Sequence, residues 1–303
     1  MPAYLCRFLP VHPAGPPDAA PGSPSAPAAR VGLVLPEAQR ILDLTPAGAS
    51  SLTALLERDD LPNWLAAQAA RTDLPAGALD AVRLLAPVER QEVWAAGVTY
   101  LRSKAARMEE SAFSASAYDR VYEAPRPELF FKALPEKVVG PGEAIGIRRD
   151  SRWTVPEPEL ALVLTAGGRL AGYTLGNDVS ARDIEGENLL YLPQAKIYDR
   201  SCALGPWVAV GLDEVTVRGG EIVLSIRRGG VEVFRGQTGV DRIRRRFTEL
   251  AAWLYRAQHF PHGAVLLTGT GIVPPDDFAL QPGDEVAISG TGLGQLVNPA
   301  VAV

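Results

Sequence analysis

The chain has 303 residues, an apolar fraction of 47% and a formal net charge of -5 at pH 7. That length can bury a sizeable core, and the composition excludes wholesale disorder. The mild acidity argues against nucleic acid or an anionic membrane as partner, whereas a small anionic substrate needs only a local positive site.

The segment up to about Arg90 has its own character. MPAYLCRFLP and RVGLVLPEAQ read as short strands joined by a Pro/Ala/Gly/Ser-rich loop from Val11 to Ala29. ASSLTALLER and LPNWLAAQAA show helical apolar spacing, with a serine and an asparagine near their starts as caps. Little in this stretch can do chemistry, so it is expected to be a small packing domain. Cys6 and Cys202 are far apart and in no metal-like spacing, a reduced pattern without a disulfide framework. MPAYLCRFLP lacks the features of a signal peptide, and no run reaches the length of a membrane span. The expectation is a soluble, cytoplasmic protein.

From Val93 onward the texture is short strands and turns. EIVLSIRR and VEVFRG flank Gly229-Gly230, a hairpin signal, because paired glycines accept the positive φ of a tight turn. One amphipathic helix is expected over VDRIRRRFTELAAWLYRAQ, with Arg242 and Arg244 to Arg246 on its solvated face. LLTGTGIV and EVAISG then return to strand. The pattern is α+β or mainly β, not a regular strand–helix alternation.

The chemistry centres on VPEPELALVL. Side chains two apart on an extended segment share a face, so Glu157 and Glu159 point the same way. Either a cation lies between them or that face is wet. A divalent cation takes oxygen ligands, and AGYTLGNDVSARDIE offers a third carboxylate in Asp178, whose competing role is a helix cap. RPELFFKA carries Glu128 and Lys132 around two phenylalanines, and Lys196 sits among small and apolar neighbours in LPQAKIYDRSCALGPW. A lysine in such company suits proton transfer or the grip of a carboxylate, though most lysines lie on the surface. Thr268, Gly269 and Thr270 form a turn whose N–H groups could bind an anion, or one that simply ends a strand. The histidines, His12, His259 and His262, are remote in sequence, and there is no G-x-S-x-G, G-x-G-x-x-G or P-loop.

As a set, VPEPELALVL, GYTLGNDVSARD, KIYDRSCALGPW and LLTGTGIV resemble the core motifs of the fumarylacetoacetate hydrolase superfamily. The resemblance covers roughly Val93 to the C-terminus. It implies a β-rich mixed α+β fold over residues 91–303, beside the small N-terminal α+β domain of residues 1–90. It implies a Mg²⁺ (or Mn²⁺) site held by Glu157, Glu159 and Asp178, with Lys196 and Thr270 contacting substrate or moving protons. Gly269 and Phe130 join Thr270 as candidates for substrate contact. The family also implies a homodimer or homotetramer.

RPELFFKA, TVPEPEL and ENLLYLPQAKIYDRSCALGP look most like the 2-keto-3-deoxy-D-arabinonate dehydratases of that superfamily. The expected reaction turns this 2-keto sugar acid, also called 2-keto-3-deoxy-D-xylonate, into 2,5-dioxopentanoate. Lys196 and Glu128 are the candidate catalytic pair for its two proton transfers. Family hydrolases carry a lid histidine after an Asn-Tyr; here Thr99-Tyr100 and Ser103 occupy that stretch, and the segment from Tyr100 to Tyr122 is the expected lid. The rivals are a C–C bond hydrolase of acylpyruvate type, an isomerase or decarboxylase of 2-keto diacids, and a non-catalytic metal-binding protein.

Overall fold

The computed structural model describes residues 2–10, 28–100 and 120–303. The Val11–Ala29 loop up to residue 27, and the expected lid from residue 101 to 119 including Ser103, lie outside the described residues.

The N-terminal segment forms β1 (Ala3–Pro10), β2 (Arg30–Leu35), β3 (Arg40–Asp43), β4 (Ala76–Ala78) and β5 (Val82–Leu85). Helices α1 (Leu52–Leu56) and α2 (Leu61–Ala69) lie between β3 and β4. Ser51 caps α1 as expected, its hydroxyl accepting from the Ala54 N–H. Asn63 is no cap: it lies inside α2, which starts after Asp60 with Pro62 in its first turn.

The remainder forms β6 (Glu92–Gly97), β7 (Glu128–Ala133), β8 (Val138–Val139), β9 (Ile145–Ile147), β10 (Thr154–Val155), β11 (Pro158–Leu164) and β12 (Leu170–Asp178). After these come β13 (Ser180–Ala181), helices α3 (Arg182–Glu187) and α4 (Leu192–Lys196), and β14 (Cys202–Val210). The chain ends with α5 (Glu214–Arg218), β15 (Glu221–Arg228), β16 (Val231–Gly239), α6 (Phe247–Leu254), β17 (Ala264–Leu267), β18 (Glu285–Gly290) and β19 (Gly294–Ala302).

Among the described residues the main sheet runs β4-β3-β2-β1-β14-β12-β11-β17-β6-β7, with β5 on β1 and β8 on β14. A second sheet runs β16-β15-β18-β19-β9, and β10 pairs with β13. β11 is buried along its whole length, as an apolar strand at the middle of a two-faced sheet must be. Its even-numbered leucines, Leu160, Leu162 and Leu164, enter one core with Leu224 and Ile226 of β15, Ile288 of β18 and Phe247 of α6. Ala161 and Val163 enter a second core with Leu5 and Leu33 of the N-terminal strands and Leu52, Leu55 and Leu65 of the first two helices. Each buried leucine or valine contributes about 1.5–3 kcal/mol, so both faces of β11 are strongly held.

The expected hairpin is present: β15 and β16 pair around Gly229 and Gly230, both with positive φ (57° and 83°). The helix expected over VDRIRRRFTELAAWLYRAQ is shorter. Val240–Arg242 make a single 3-10 turn, and α6 begins only at Phe247. Nor are all four arginines solvated. Arg245 is 9% exposed and donates to the carbonyls of Ala124 and Pro125, while Arg242, Arg244 and Arg246 stay exposed. That long-range clamp holds the chain extended where local spacing favours helix.

Candidate active site

Strand register explains why three carboxylates meet. β11 and β12 are antiparallel, with Pro158 opposite Asn177 and Glu159 opposite Gly176. One step further, the Asp178 N–H donates to the Glu157 carbonyl at 3.0 Å, so Glu157 and Asp178 face each other across the pair. Alternation then puts Glu157, Glu159 and Asp178 on one face. One oxygen from each lies within 4.8 Å of the others, and all three residues are buried. Asp178 is not a cap; the N-cap of α3 is Ala181, which has no side-chain bond.

Three cationic side chains surround the cluster. Lys196, at the end of α4, is fully buried. Its Nζ donates to Glu157 Oε2 at 2.9 Å, Asp178 Oδ2 at 3.2 Å and the Ser180 hydroxyl at 2.6 Å. The expectation of a desolvated lysine is met, not by apolar neighbours alone but by the fold that brings α4 over β13. Arg182, in the first turn of α3, pairs with Glu157 Oε1 at 2.9 Å. Lys132 of β7 pairs with Asp178 Oδ1 at 2.5 Å.

Burial, followed by the charges of Asp178 and Glu157, pushes the Glu159 carboxyl well above its ordinary 4.5; Lys196 and the Gly269 N–H only partly oppose this. A cation placed among the three carboxylates would relieve the crowding of negative charge that raises Glu159. Three hard oxygen donors in that condition fit a divalent cation such as Mg²⁺. Cys202 stands opposite Asp178 in the β12–β14 register, and burial pushes its thiol up to about 12, which favours the protonated form at neutral pH.

The cleft beside the triad is lined by Phe130, Lys196, Arg182, Gly269 and Thr270, together with the Ala96–Val98 backbone turn. Val98 has φ 54°, an unusual conformation for a β-branched residue and the kind of strain that collects at working sites. The 268–270 turn is not a vacant anion nest. The Gly269 N–H donates to Glu159 Oε2 at 2.6 Å, and the Thr268 N–H to the Leu160 carbonyl at 3.0 Å. Gly269 has φ 89°, and a Cβ there would come within 2.2 Å of Thr99 Oγ1. The Thr270 hydroxyl donates to the Pro158 carbonyl at 2.9 Å, which ties this turn to the strand of the glutamates.

Glu128 starts β7 opposite Gly97 and reaches the edge of the cleft over it; a Cβ on Gly97 would lie 2.0 Å from Glu128 Oε2. Thus the triad, Lys196, Phe130, Gly269 and Thr270 converge, whereas Glu128 lies against Gly97 and is not itself among the residues lining the cleft. Sequence reasoning passed over Arg182 and Ser180, although both lie in the same DVSARD stretch as Asp178, and named Lys132 without a role. His259 and His262 are not among the residues lining the cleft.

The profile of the family described as "Fumarylacetoacetate (FAA) hydrolase C-terminal" matches residues 92–301. The chain belongs to this family. A probable 2-keto-3-deoxyxylonate dehydratase of Haloferax volcanii is 49% identical over 217 residues, 72% of this chain and 74% of that one. A 2-dehydro-3-deoxy-D-arabinonate dehydratase of Saccharolobus solfataricus is 44% identical over 222 residues, with the same shares of 72% and 74%. Among solved structures, 2-keto-3-deoxy-D-arabinonate dehydratase complexed with magnesium and 2,5-dioxopentanoate superposes with a TM-score of 0.79 at 32% identity, covering 100% of this chain and 99% of that one. A relative named for another activity, an oxaloacetate tautomerase of Rattus norvegicus, is 26% identical over 271 residues, 84% of this chain and 81% of that one.

Proposed function

We propose that the protein is a Mg²⁺-dependent dehydratase that converts 2-keto-3-deoxy-D-arabinonate into 2,5-dioxopentanoate. The observation that carries this reading is the buried Glu157–Glu159–Asp178 cluster with the Lys196 amine on two of its members. It stands in a chain 44% identical to the Saccharolobus dehydratase.

Glu157, Glu159 and Asp178 would hold the cation. When bound, it supplies Lewis acidity toward the carboxylate and keto oxygens of a 2-keto acid. The chain's own residues then move protons and exclude water. The reaction removes a C3 proton and the C4 hydroxyl as water, then carries a proton from C5 to C3, and the resulting enol relaxes to the aldehyde. Lys196 and Glu128 are the proton-transfer pair: Lys196 enters from the metal side with its Nζ oriented by Ser180, and Glu128 from the β7 side over Gly97. Phe130, Gly269 and Thr270 form the wall against which the substrate lies. The same reading places the enzyme in the cytoplasm as a homodimer or homotetramer. Its two buried free thiols suit a reducing compartment. Among the described residues no helix is long and apolar enough to cross a membrane. It also divides the chain at about residue 90, between a packing unit and the unit that carries every candidate site residue.

The test is turnover of 2-keto-3-deoxy-D-arabinonate with Mg²⁺ and then with chelator, the product being read through an added semialdehyde dehydrogenase. Metal-dependent formation of 2,5-dioxopentanoate is the expected result. Release of pyruvate from an acylpyruvate, with no semialdehyde from the sugar acid, would overturn the dehydratase in favour of a hydrolase.

A further inference from the structure

Lys132 is fully buried, yet the dehydration chemistry gives it no task. Its Nζ meets three acceptors: Asp178 Oδ1 at 2.5 Å, the Val179 carbonyl at 3.1 Å and the Lys196 carbonyl at 2.5 Å. One partner is the proposed metal ligand Asp178, one is the carbonyl of the next residue, Val179, and one is the carbonyl that ends α4. Asp178 ends β12, and Lys196 closes α4, whose last carbonyls lack partners within the helix. The Ser201 hydroxyl donates to that same Lys196 carbonyl at 2.9 Å, so the peptide bearing the catalytic amine is pinned from two sides. The division of Asp178 is as telling: Lys132 occupies Oδ1, while Oδ2 turns toward Lys196.

We infer that Lys132 is a positioning residue that locks the metal ligand Asp178 and the backbone of Lys196 into one frame, leaving Asp178 a single oxygen to present to the cation. The inference rests on the proposed roles of Asp178 and Lys196. Lys132 is not among the residues lining the cleft and acts through Asp178 and the Lys196 backbone. It also makes β7 the common support of the site, since Glu128 and Phe130 lie on the same strand. A buried ammonium costs heavily in desolvation, and a core filler of the same volume would be methionine. Retention of the charge points to the two things it holds.

The test is Lys132→Met, with Mg²⁺ affinity read by titration calorimetry and kcat and KM read on 2-keto-3-deoxy-D-arabinonate. Mg²⁺ affinity and kcat should each fall by roughly 10–100-fold, the usual effect of losing a group that orients a metal ligand, with KM unchanged. Lys132→Gln, which keeps N–H donors for the carbonyls but no charge, should recover part of kcat and none of the Mg²⁺ affinity. If Lys132→Met does not fold, the glutamine variant alone decides: wild-type Mg²⁺ affinity overturns the proposal. A variant that is only less thermostable, with wild-type kcat and Mg²⁺ affinity, reduces Lys132 to packing. A raised KM at wild-type kcat would make it a substrate contact instead. If the wild-type protein forms no 2,5-dioxopentanoate, the dehydratase reading fails by itself, and the Mg²⁺ comparison still judges Lys132.

Discussion

Glu159 is a residue whose charge state depends on what fills the site. Burial, and then Asp178 and Glu157, raise its carboxyl pKa above 4.5 in the metal-free protein. Between that ordinary value and the raised one, the folded state holds a proton that the unfolded chain has already lost. Glu159 therefore stabilises the metal-free fold at low pH, and this contribution drains away as pH rises through the window. A cation must displace that proton. Mg²⁺ binding within the window should release protons and tighten as pH rises, and its calorimetric enthalpy should change with the ionisation heat of the buffer. Glu159→Gln should lose that buffer dependence; equal enthalpies for the wild type in two such buffers would refute the argument. Lys196→Ala separates chemistry from metal binding. It should cut turnover by at least about 10²-fold, the lower end of what a proton-transfer group contributes, while Mg²⁺ still binds. Full activity in that variant would dismiss Lys196 from catalysis. At this scale much was legible. Two glutamates at a spacing of two on an extended segment share a face whatever the tertiary fold, and Asp178 joins them on that face. The partner of Lys132 was not legible, because a strand and a helix end 64 residues apart have to meet before its three acceptors exist.

Among the elements, strands and hairpin followed local rules, and the helix before Trp253 did not. Amphipathic spacing ran from Val240, but α6 starts at Phe247 because Arg245 is drawn inward to the 124–125 carbonyls and to Glu249 at 2.7 Å. Periodicity reports which side chains agree with a helix; it cannot report a guanidinium needed elsewhere. The segment that the clamp holds leads directly into β7, which carries Glu128, Phe130 and Lys132. Arg245→Ala should destabilise the protein by about 0.5–1.5 kcal/mol, the net worth of a hydrogen bond whose acceptors, on Ala124 and Pro125, water can reach once the guanidinium is gone. The urea midpoint should fall at constant slope, and kcat should fall with it as the start of β7 loosens. A variant with wild-type midpoint and kcat would show that the clamp is ornamental.

In the whole molecule, the main sheet does not stop at the proposed boundary near residue 90. β1 pairs with β14 through Ala3–Val210, Tyr4–Ala209 and Leu5–Val208, and β14 in turn pairs with β12, which ends at Asp178. The second core is shared: Leu5, Val31, Leu33, Leu52, Leu55 and Leu65 pack with Ala161, Val163, Val265 and Leu267. The family profile begins at residue 92. A fragment cut there would nevertheless strip β14 of a neighbour and uncover the face of the strand that carries Glu159. Losing several buried side chains at about 1.5–3 kcal/mol each would consume the roughly 5–15 kcal/mol by which a domain is stable. It would also present a long apolar strand edge to other chains. Residues 91–303 expressed alone should therefore aggregate or melt without cooperativity, and co-expression with residues 1–90 should restore a soluble, Mg²⁺-binding protein. Size-exclusion chromatography and circular dichroism decide the matter. A monodisperse fragment that melts cooperatively and binds Mg²⁺ as tightly as the full chain would mean that the shared sheet and core are dispensable, and that the N-terminal unit serves something other than the stability of the site.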